Sequence, residues 1–243
     1  MSLCRVLPIR FLVSNVFAVQ SERTVIVDAG MPGHAKAILR RLAGWGIGPD
    51  DVSLILLTHG HLDHFGSAAE LRRLTGAPIA IHPLEAPALR AGRNPTIIPR
   101  GNFARLLRPI FQHRRVAPCQ EDLLVAAGQR LESFGVPGEL IATPGHTAGS
   151  LSVWLPESGE QGAGELIAGD LLMGGGLGGY VTPRQPRLPY FYDDRDVTLA
   201  SIKKILSLAP RRVYVGHGGP LDAADIRRAF GTLTRRASEG DRT

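Results

Sequence analysis

One short stretch of the chain, THGHLDH, holds three histidines and an aspartate that could do chemistry together. They directly follow the apolar run at 54–57, and they are His59, His61, Asp63 and His64. Burying imidazoles and carboxylates without partners is costly, and exposed side chains would have no reason to cluster. A metal ion gives all four a common partner. The stretch therefore indicates a metal site, and further ligands are expected elsewhere in the chain.

Three later positions share one local pattern, a short apolar run that ends at a glycine and then a metal-type side chain. His146 follows ELIATPG, Asp170 follows ELIAG, and His217 follows RVYVG. Glycine lets the backbone turn tightly, and functional sites in open α/β sheets lie outside the strand ends. Five of the eight histidines fall in this set of seven residues, which argues against random placement.

The ligand types define the chemistry. Neutral imidazole and carboxylate suit zinc, and a set without thiolate is also compatible with iron or manganese. Seven ligands exceed the need of one tetrahedral ion and suit two ions that share a bridge. Spacing gives this ligand list, but not the division of the ligands between the two ions.

The same motifs resemble the metallo-β-lactamase-fold superfamily. THGHLDH matches its H-x-H-x-D-H signature, and PGHT, GD and GHG match its later ligand positions in the right order. The resemblance covers about Asn15 to Pro220. It implies an α/β (mixed α+β) fold, a four-layer αββα sandwich with a dinuclear site at one edge of the two sheets.

The resemblance also implies a role for each ligand. It assigns His59, His61 and His146 to one metal and Asp63, His64 and His217 to the other, with Asp170 as the bridge. Asp28, in VIVDAG, resembles the family's N-terminal structural aspartate, which lies near the metals without binding them.

The implied reaction is hydrolysis. Two zinc ions would lower the pKa of a shared water to roughly 7, so that a bridging hydroxide attacks the substrate. Asp63 is the candidate catalytic residue, passing a proton to the leaving group. Proteins of this size in the superfamily resemble the short glyoxalase II-like and lactonase-like hydrolases, so we expect a small ester, thioester or lactone substrate.

Four other activities are weighed. A persulfide dioxygenase-like, iron-dependent oxidoreductase uses the same scaffold with one iron, whereas seven ligands favour two metals. A phosphodiesterase or nuclease would suit the positive charge, but the chain lacks an extended basic stripe beyond one segment. The usual glyoxalase II carries a further C-terminal helical domain, whereas only a short helix and a tail follow His217, which argues against glutathione thioesters. A β-lactamase proper would normally be exported.

The elements that must position these residues alternate along the chain. Strands are predicted in IRFLVSNVFAVQ, RTVIVDAG, 54–57, APIAIHP, DLLVA, ELIAT, SLSVWL, ELIAG and RVYVG, and helices in HAKAILRRLAGWG, GSAAELRRLTG, VTLASIKKILSLA and DAADIRRAFGTLTRR. The glycine-rich LLMGGGLGGY is predicted to be a loop. Interleaved strands and helices are typical of α/β or mixed α+β proteins. We expect one domain over 1–236 and a polar, disordered tail over 237–243.

A basic segment separates the two ligand groups. The chain has 28 basic and 22 acidic residues, a net charge of +6, and arginines recur over about 93–118, where NFARLLRPIF shows some helical periodicity. One interpretation is a cap-like insertion that attracts an anionic substrate; the other is an exposed helix with ordinary charges. The candidate substrate-binding residues are Arg105 and three tyrosines that follow the last carboxylate ligand, Tyr180, Tyr190 and Tyr192.

The remaining features bear on the environment of the protein. Cys4 and Cys119 form no metal-ligand spacing; free thiols are the simpler interpretation, and a disulfide stays open. The N-terminus is mildly like a signal peptide, but Pro8, Arg10 and Asn15 interrupt its apolar region. No run is long enough to cross a membrane. We expect a cytoplasmic protein with a small-molecule substrate, no nucleic-acid or membrane partner, and an oligomeric state that could be a homodimer.

Overall fold

Two β-sheets lie face to face at the centre of the molecule. The computed structural model describes residues 4–156 and 164–239. Its strands are β1 (Arg5–Arg10), β2 (Asn15–Gln20), β3 (Thr24–Val27), β4 (Val52–Leu56), β5 (Ile79–Ile81), β6 (Leu123–Leu124), β7 (Glu139–Ala142), β8 (Leu151–Leu155), β9 (Glu165–Ile167), β10 (Met173–Gly176), β11 (Val181–Arg187) and β12 (Arg212–Tyr214). Within these residues the order is β1-β2-β3-β4-β5-β6 in one sheet and β12-β9-β8-β7 in the other, and β10 pairs with β11.

Strand direction brings the predicted ligands to one edge. Strands β3 to β6 are parallel to one another, whereas β1, β2 and β3 are antiparallel neighbours. In the second sheet β8 is antiparallel to both β7 and β9, and β9 is parallel to β12. The carboxyl ends of β7, β9 and β12 therefore lie at the same edge of their sheet, and the loops that leave them carry His146, Asp170 and His217.

Most of the helices cover the outer faces of the two sheets, whereas one, over 102–112, lies beside the edge that carries the predicted ligands. The helices are α1 (Ala35–Ala43), α2 (Leu62–Phe65), α3 (Ala68–Thr75), α4 (Ala86–Ala91), α5 (Asn102–Gln112), α6 (Arg195–Ser207) and α7 (Ala223–Glu239). Asp194 caps α6, because its carboxylate accepts hydrogen bonds from the backbone N–H groups of Asp196 and Val197. Such a cap satisfies amide donors that have no partner inside the helix.

Alternating side chains in the strands build three apolar layers. In β2 and β4, Phe17 and Leu54 point toward the second sheet, while Val16 and Ile55 pack under α1 and α3. On the far side of the second sheet, strands β9 and β12 pack against α6 and α7. Both faces of each sheet are thus buried, which explains the nearly continuous apolar sequence of these strands. The fold is the predicted four-layer αββα sandwich.

The glycine-rich segment was expected to be a loop, but part of it forms β10, which pairs with β11. A Cβ added at Gly174 would lie 1.9 Å from the carbonyl oxygen of Pro183, so only glycine allows the two backbones to approach this closely. Glycine normally weakens strands, which is why the sequence pattern did not indicate this hairpin.

The structure also bears on the predicted tail, the two cysteines and the absence of a membrane span. Helix α7 continues to Glu239, three residues into the segment predicted to be a tail, and 240–243 lie outside the described residues. Cys4 and Cys119 are free, and burial, with a smaller contribution from Glu165, raises the pKa of Cys4 to about 11. Among the described residues, no helix combines the length and apolar character needed to cross a bilayer.

Candidate metal centre

The histidine-rich motif spans the turn after β4 and the start of α2, which holds Asp63 and His64. His61 has extended backbone angles and lies just before α2, so the motif changes direction between its second and third ligands. The turn is held from outside by Glu85, whose carboxylate accepts a hydrogen bond from the backbone N–H of Gly60 at 2.7 Å. The ligand side chains therefore project from a short, anchored turn.

Three buried histidines converge at one end of the centre, and we call them site 1: His59, His61 and His146. The Nε2 atom of His59 lies 3.1 Å from Nδ1 of His61, and Nε2 of His146 lies 2.9 Å from that Nδ1 atom. The Nε2 atoms of His59 and His146 are 3.1 Å apart. These three nitrogens are spaced like donors on one coordination sphere.

A second set lies beside site 1, and we call it site 2: Asp63, His64 and His217. Oδ2 of Asp63 lies 3.7 Å from Nε2 of His64 and 3.6 Å from Nε2 of His217. The candidate ligand atoms within each site all lie within 4.8 Å of one another.

Asp170 joins the two sites. Its Oδ1 atom is 3.4 Å from Nε2 of His64, and its Oδ2 atom is 3.0 Å from Nε2 of His217. The same Oδ2 atom lies 3.8 Å from Nε2 of His146, in site 1. The seven predicted ligands are thus brought together, with Asp170 in the position from which it can contact both sets.

The ring nitrogens that point away from the centre are held by acceptors. Nδ1 of His64 contacts Oδ2 of Asp28 at 2.8 Å, and Nδ1 of His146 lies 2.8 Å from the carbonyl oxygen of Phe191. Nδ1 of His217 donates to the carbonyl oxygen of Val13. An acceptor at Nδ1 places the proton there and leaves the lone pair of Nε2 facing the centre.

These inward lone pairs fit a divalent metal. Lone pairs on neighbouring nitrogens repel one another unless a cation lies between them. Nε2 of His64 and Oδ1 of Asp170 are buried and, within the described part of the chain, form no hydrogen bond, although buried polar atoms normally have a partner. Imidazole nitrogen with carboxylate oxygen suits zinc, iron or manganese. The residues present therefore fit the metals predicted from the sequence.

The two sites differ in charge. Burial lowers the pKa of His61 and His146 to about 4, so the site 1 imidazoles stay neutral. Burial also lowers the pKa of His64 and His217, but neighbouring carboxylates, chiefly Asp170, raise both above the usual histidine value. Burial alone would raise the pKa of Asp170, yet these two histidines hold it well below its usual value. Site 1 is electrically neutral, whereas a metal that binds at site 2 must displace the protons that these carboxylates favour.

Asp28 lies where the family resemblance implied. It is fully buried, with a φ of 64°, and its carboxylate accepts hydrogen bonds from the backbone N–H and the hydroxyl of Thr58, both at 2.9 Å. The same hydroxyl lies 3.0 Å from Nδ1 of His59. Asp28 and Thr58 together orient one histidine of each site.

Sequence reasoning missed a further buried carboxylate, Glu85. One of its oxygens accepts from Gly60 in the first ligand loop, and the other accepts from the N–H of Gly149, in the loop after His146, at 2.7 Å. The two partners are 25 and 64 residues away in the sequence. No local pattern signals such a contact, because glutamate most often lies on the surface.

An apolar cavity of about 300 Å³ opens directly above the centre. Its floor includes ligands of both sites, and α5 forms one wall through Phe103, Leu107 and Phe111. Asn94 also lines it, and its buried side chain accepts from the N–H of Leu62 at 2.6 Å and donates to the carbonyl oxygen of Phe111 at 2.9 Å. The remaining apolar lining residues are Leu12, Val13, Ile97, Met173, Leu177, Pro189 and Phe191.

The four predicted substrate-binding residues lie in different places. Tyr190 lines the cavity, and its hydroxyl accepts a hydrogen bond from the N–H of Leu177 at 2.9 Å. Tyr192 packs under the guanidinium of Arg100, 4.5 Å from ring centre to Cζ. Tyr180 and Arg105 are exposed, and neither they nor Tyr192 is part of the cavity wall. Of the four, Tyr190 has the position to contact a substrate in this cavity.

Comparison with known proteins agrees with this geometry. The probable metallo-hydrolase YflN of Bacillus subtilis is 27% identical over 93% of this chain and 88% of its own length. A hydroxyacylglutathione hydrolase of Pseudomonas aeruginosa is 29% identical over 88% of this chain and 69% of its own length. The structure of TTHA1623 in a di-iron-bound form aligns with a TM-score of 0.63 and 28% identity, covering 92% of this chain and 97% of that one.

The family assignment follows from the extent of the match. The profile of the Metallo-beta-lactamase superfamily matches residues 9–217, a range that holds every candidate ligand described above. The resemblance inferred from the sequence motifs is thereby confirmed. This chain belongs to the metallo-beta-lactamase superfamily.

Proposed function

We propose that the protein is a dinuclear metallohydrolase, with zinc in both sites, that cleaves a small ester, thioester or lactone with an apolar acyl group. One observation carries the proposal: sites 1 and 2, joined by Asp170, form the floor of a cavity whose walls are apolar. Segment 93–118 serves as the cap over this cavity, through the wall that α5 provides.

The metals and the chain divide the chemistry between them. When bound, two divalent ions activate a water for attack and polarise the oxygen of the scissile bond. Asp63 lies at the cavity floor, and its Oδ2 atom faces His64 and His217. With Oδ2 directed at site 2, the other oxygen of this carboxylate, Oδ1, would take up a proton and pass it to the leaving group. The apolar wall of α5 excludes water from the reacting bond, which strengthens electrostatic interactions there.

The cavity supports an acyl substrate over a phosphodiester. Among the described residues that line it, Asn94 and Tyr190 are the polar side chains outside the ligand set, and no arginine or lysine takes part. A phosphodiester carries a negative charge and would be matched by such a cation. The arginines of segment 93–118 do not line the cavity. We therefore do not propose that the cavity holds an anionic group of the substrate.

The similar proteins suggest which bond is cleaved and which metal is an alternative to zinc. A hydroxyacylglutathione hydrolase among them is consistent with thioester chemistry, although identity is 29%. TTHA1623 in its di-iron-bound form makes iron the first alternative to zinc. A persulfide dioxygenase-like reaction would need one iron, whereas two adjacent ligand sets favour two ions.

Metal analysis combined with a substrate panel tests the proposal. We expect about two zinc ions per chain, and turnover of esters, thioesters or lactones that exceeds turnover of phosphodiesters. His59→Ala should lose metal from site 1 and abolish turnover, whereas Arg40→Ala, on the exposed face of α1, should change neither. One iron per chain with oxygen uptake, or phosphodiester turnover alone, would overturn the proposal.

A further inference from the structure

Helix α5 presents apolar side chains to solvent as well as to the cavity. Phe103, Leu107 and Phe111 line the cavity. On the adjoining flank Leu106 is 73% exposed and Ile110 is 54% exposed, and Phe103, between the two flanks, is 43% exposed. Positions three and four apart lie on one side of a helix. The apolar surface of α5 therefore continues from the cavity wall out to solvent.

Two other residues that line the same cavity are apolar and exposed. Leu12 and Leu177 line it and are 74% and 57% exposed. Tyr180 and Val181, which follow Leu177 in the chain, are also exposed. Soluble proteins seldom leave an apolar patch of this kind without a binding partner. We call Leu12, Phe103, Leu106, Ile110 and Leu177 the apolar rim.

The segment that carries much of this rim is strongly basic. Residues 93–118 contain six arginines and no acidic residue, which equals the net charge of +6 for the whole chain. The rest of the protein is therefore balanced in charge. In the described part of the chain, none of these arginines forms a salt bridge with a carboxylate. They are Arg93, Arg100, Arg105, Arg108, Arg114 and Arg115.

We propose that the apolar rim and these arginines dock the protein on an anionic lipid surface. A helix with an exposed apolar flank and arginines on its other flank lies in a membrane interface with its apolar side chains among the acyl chains. Anionic headgroups attract arginines close to the surface. The expectation of no membrane partner rested on the absence of a spanning segment, and peripheral docking needs none.

The positive charge of segment 93–118 favours an anionic lipid surface, and not a second copy of this chain, as the partner of the apolar rim. A two-fold contact places the same patch of each copy against the other. The arginine-rich segment of each copy would then approach that of the other without intervening carboxylates, and like charges across an interface are unfavourable. An anionic bilayer offers the complementary charge together with an apolar layer for Leu106 and Ile110.

Docking also bears on the substrate. Three residues of the rim, Leu12, Phe103 and Leu177, also line the cavity, so on a bilayer the cavity would open toward the lipid. An acyl chain could then enter the cavity directly from the lipid. This role in substrate entry rests on the proposed hydrolase function. Surface binding itself does not depend on catalysis.

Vesicle co-sedimentation of the full chain tests the docking. We expect binding to phosphatidylglycerol–phosphatidylcholine vesicles and little binding to phosphatidylcholine alone, with a decrease as salt rises. Leu106→Glu with Ile110→Glu should weaken binding at least about tenfold, because both side chains would leave the acyl region. Arg105→Glu with Arg114→Glu should do the same through charge.

Matched controls separate docking from folding and from net charge. Leu124→Glu changes an exposed leucine on the edge strand β6, and Arg40→Glu with Arg41→Glu repeats the charge change on α1. Both should bind vesicles like the wild type, and all variants should keep their thermal midpoint. The Leu106→Glu, Ile110→Glu variant should also hydrolyse a water-soluble short ester normally, since neither residue lines the cavity.

The possible results distinguish failure of the docking proposal from failure of the hydrolase proposal. Equal binding to neutral and anionic vesicles, or rim variants that bind like wild type, would overturn the docking. A dimer in sedimentation velocity that Leu106→Glu disrupts, without vesicle binding, would assign the rim to a second copy and overturn it as well. Anionic vesicle binding that the rim variants abolish, in a protein that hydrolyses nothing, would support docking while the hydrolase proposal fails.

Discussion

Replacing Asp28 by Asn should weaken metal binding at site 2, although Asp28 is not expected to bind metal itself. Oδ2 of Asp28 lies 2.8 Å from Nδ1 of His64, and Oδ1 accepts from the N–H of Thr58. An asparagine that keeps its oxygen on the Thr58 amide turns its NH₂ group toward His64. That group donates to Nδ1, which moves the ring proton to Nε2, the atom that faces Asp63 and Asp170.

The size of the effect follows from the lost orientation. A protonated Nε2 cannot bind metal, so binding must first reverse the tautomer against the new hydrogen bond. Losing the partner that orients a metal-bound histidine typically costs about 10- to 100-fold in affinity, or about 1.4–2.7 kcal/mol. Site 1 should lose far less, because the retained side-chain oxygen still accepts from the Thr58 hydroxyl that contacts His59, and the acceptor of His146 is the carbonyl of Phe191.

Competition with a chromogenic zinc chelator would measure the two affinities. The control is Asp122→Asn, since Asp122 also accepts from a backbone N–H, that of Ile79 at 2.8 Å, but lies outside the centre. The expected result is a weaker second zinc in Asp28→Asn alone, with the first zinc nearly unchanged. Unchanged affinity at both sites in a folded Asp28→Asn protein would refute the tautomer argument.

Three further predictions concern the loops, the protons and the cavity. Glu85→Gln should destabilise the protein by about 1.5–3 kcal/mol in urea unfolding, because a charged acceptor shared by two ligand loops becomes neutral; an unchanged midpoint contradicts this. On acidification site 2 should lose its metal before site 1, because carboxylates raise the pKa of His64 and His217 while that of His61 is about 4, and protons compete with metal for ligands. Simultaneous loss in a metal titration against pH would count against it. Leu107→Trp should fill the cavity and lower kcat/KM for long acyl chains by about tenfold more than for short ones, and equal losses would contradict the assigned acyl cavity.

The candidate ligands could be recognised in the sequence because each group of them follows an apolar strand. His146, Asp170 and His217 leave β7, β9 and β12, and those strands end at one edge of a single sheet. Short strands with a glycine after them are visible locally. The αββα architecture then follows from the family resemblance, and the alternation of buried side chains agrees with it.

Contacts between distant segments could not be predicted. Glu85 reaches two loops that no pattern connects to it, and Asn94 joins α2 to α5 through an ordinary-looking amide. The sequence over 102–111 showed some helical periodicity, but it did not indicate which side of α5 would cover the cavity. The tyrosines show the same limit, since Tyr190 enters the cavity wall and Tyr180 does not.

The attachment of α5 determines where the cap can open. At its C-terminal end, the buried Asn94 amide holds the carbonyl of Phe111, and breaking such a bond without replacement costs about 1–3 kcal/mol. At its N-terminal end, the exposed guanidinium of Arg100 donates to backbone carbonyls at Tyr192 and Asp193, which water can replace. Gly101, with a φ of 87°, provides a flexible joint beside them.

We therefore expect α5 to open at its N-terminal end, past Phe103, with its C-terminal end fixed. Hydrogen exchange should be faster for amides over 105–107 than over 110–112. Asn94→Ala should remove that difference, because the C-terminal end would lose its buried anchor, whereas Gln120→Ala on the exposed surface should not. Slower exchange at the N-terminal end would place the hinge at the opposite end and would require substrate to enter beside Phe111.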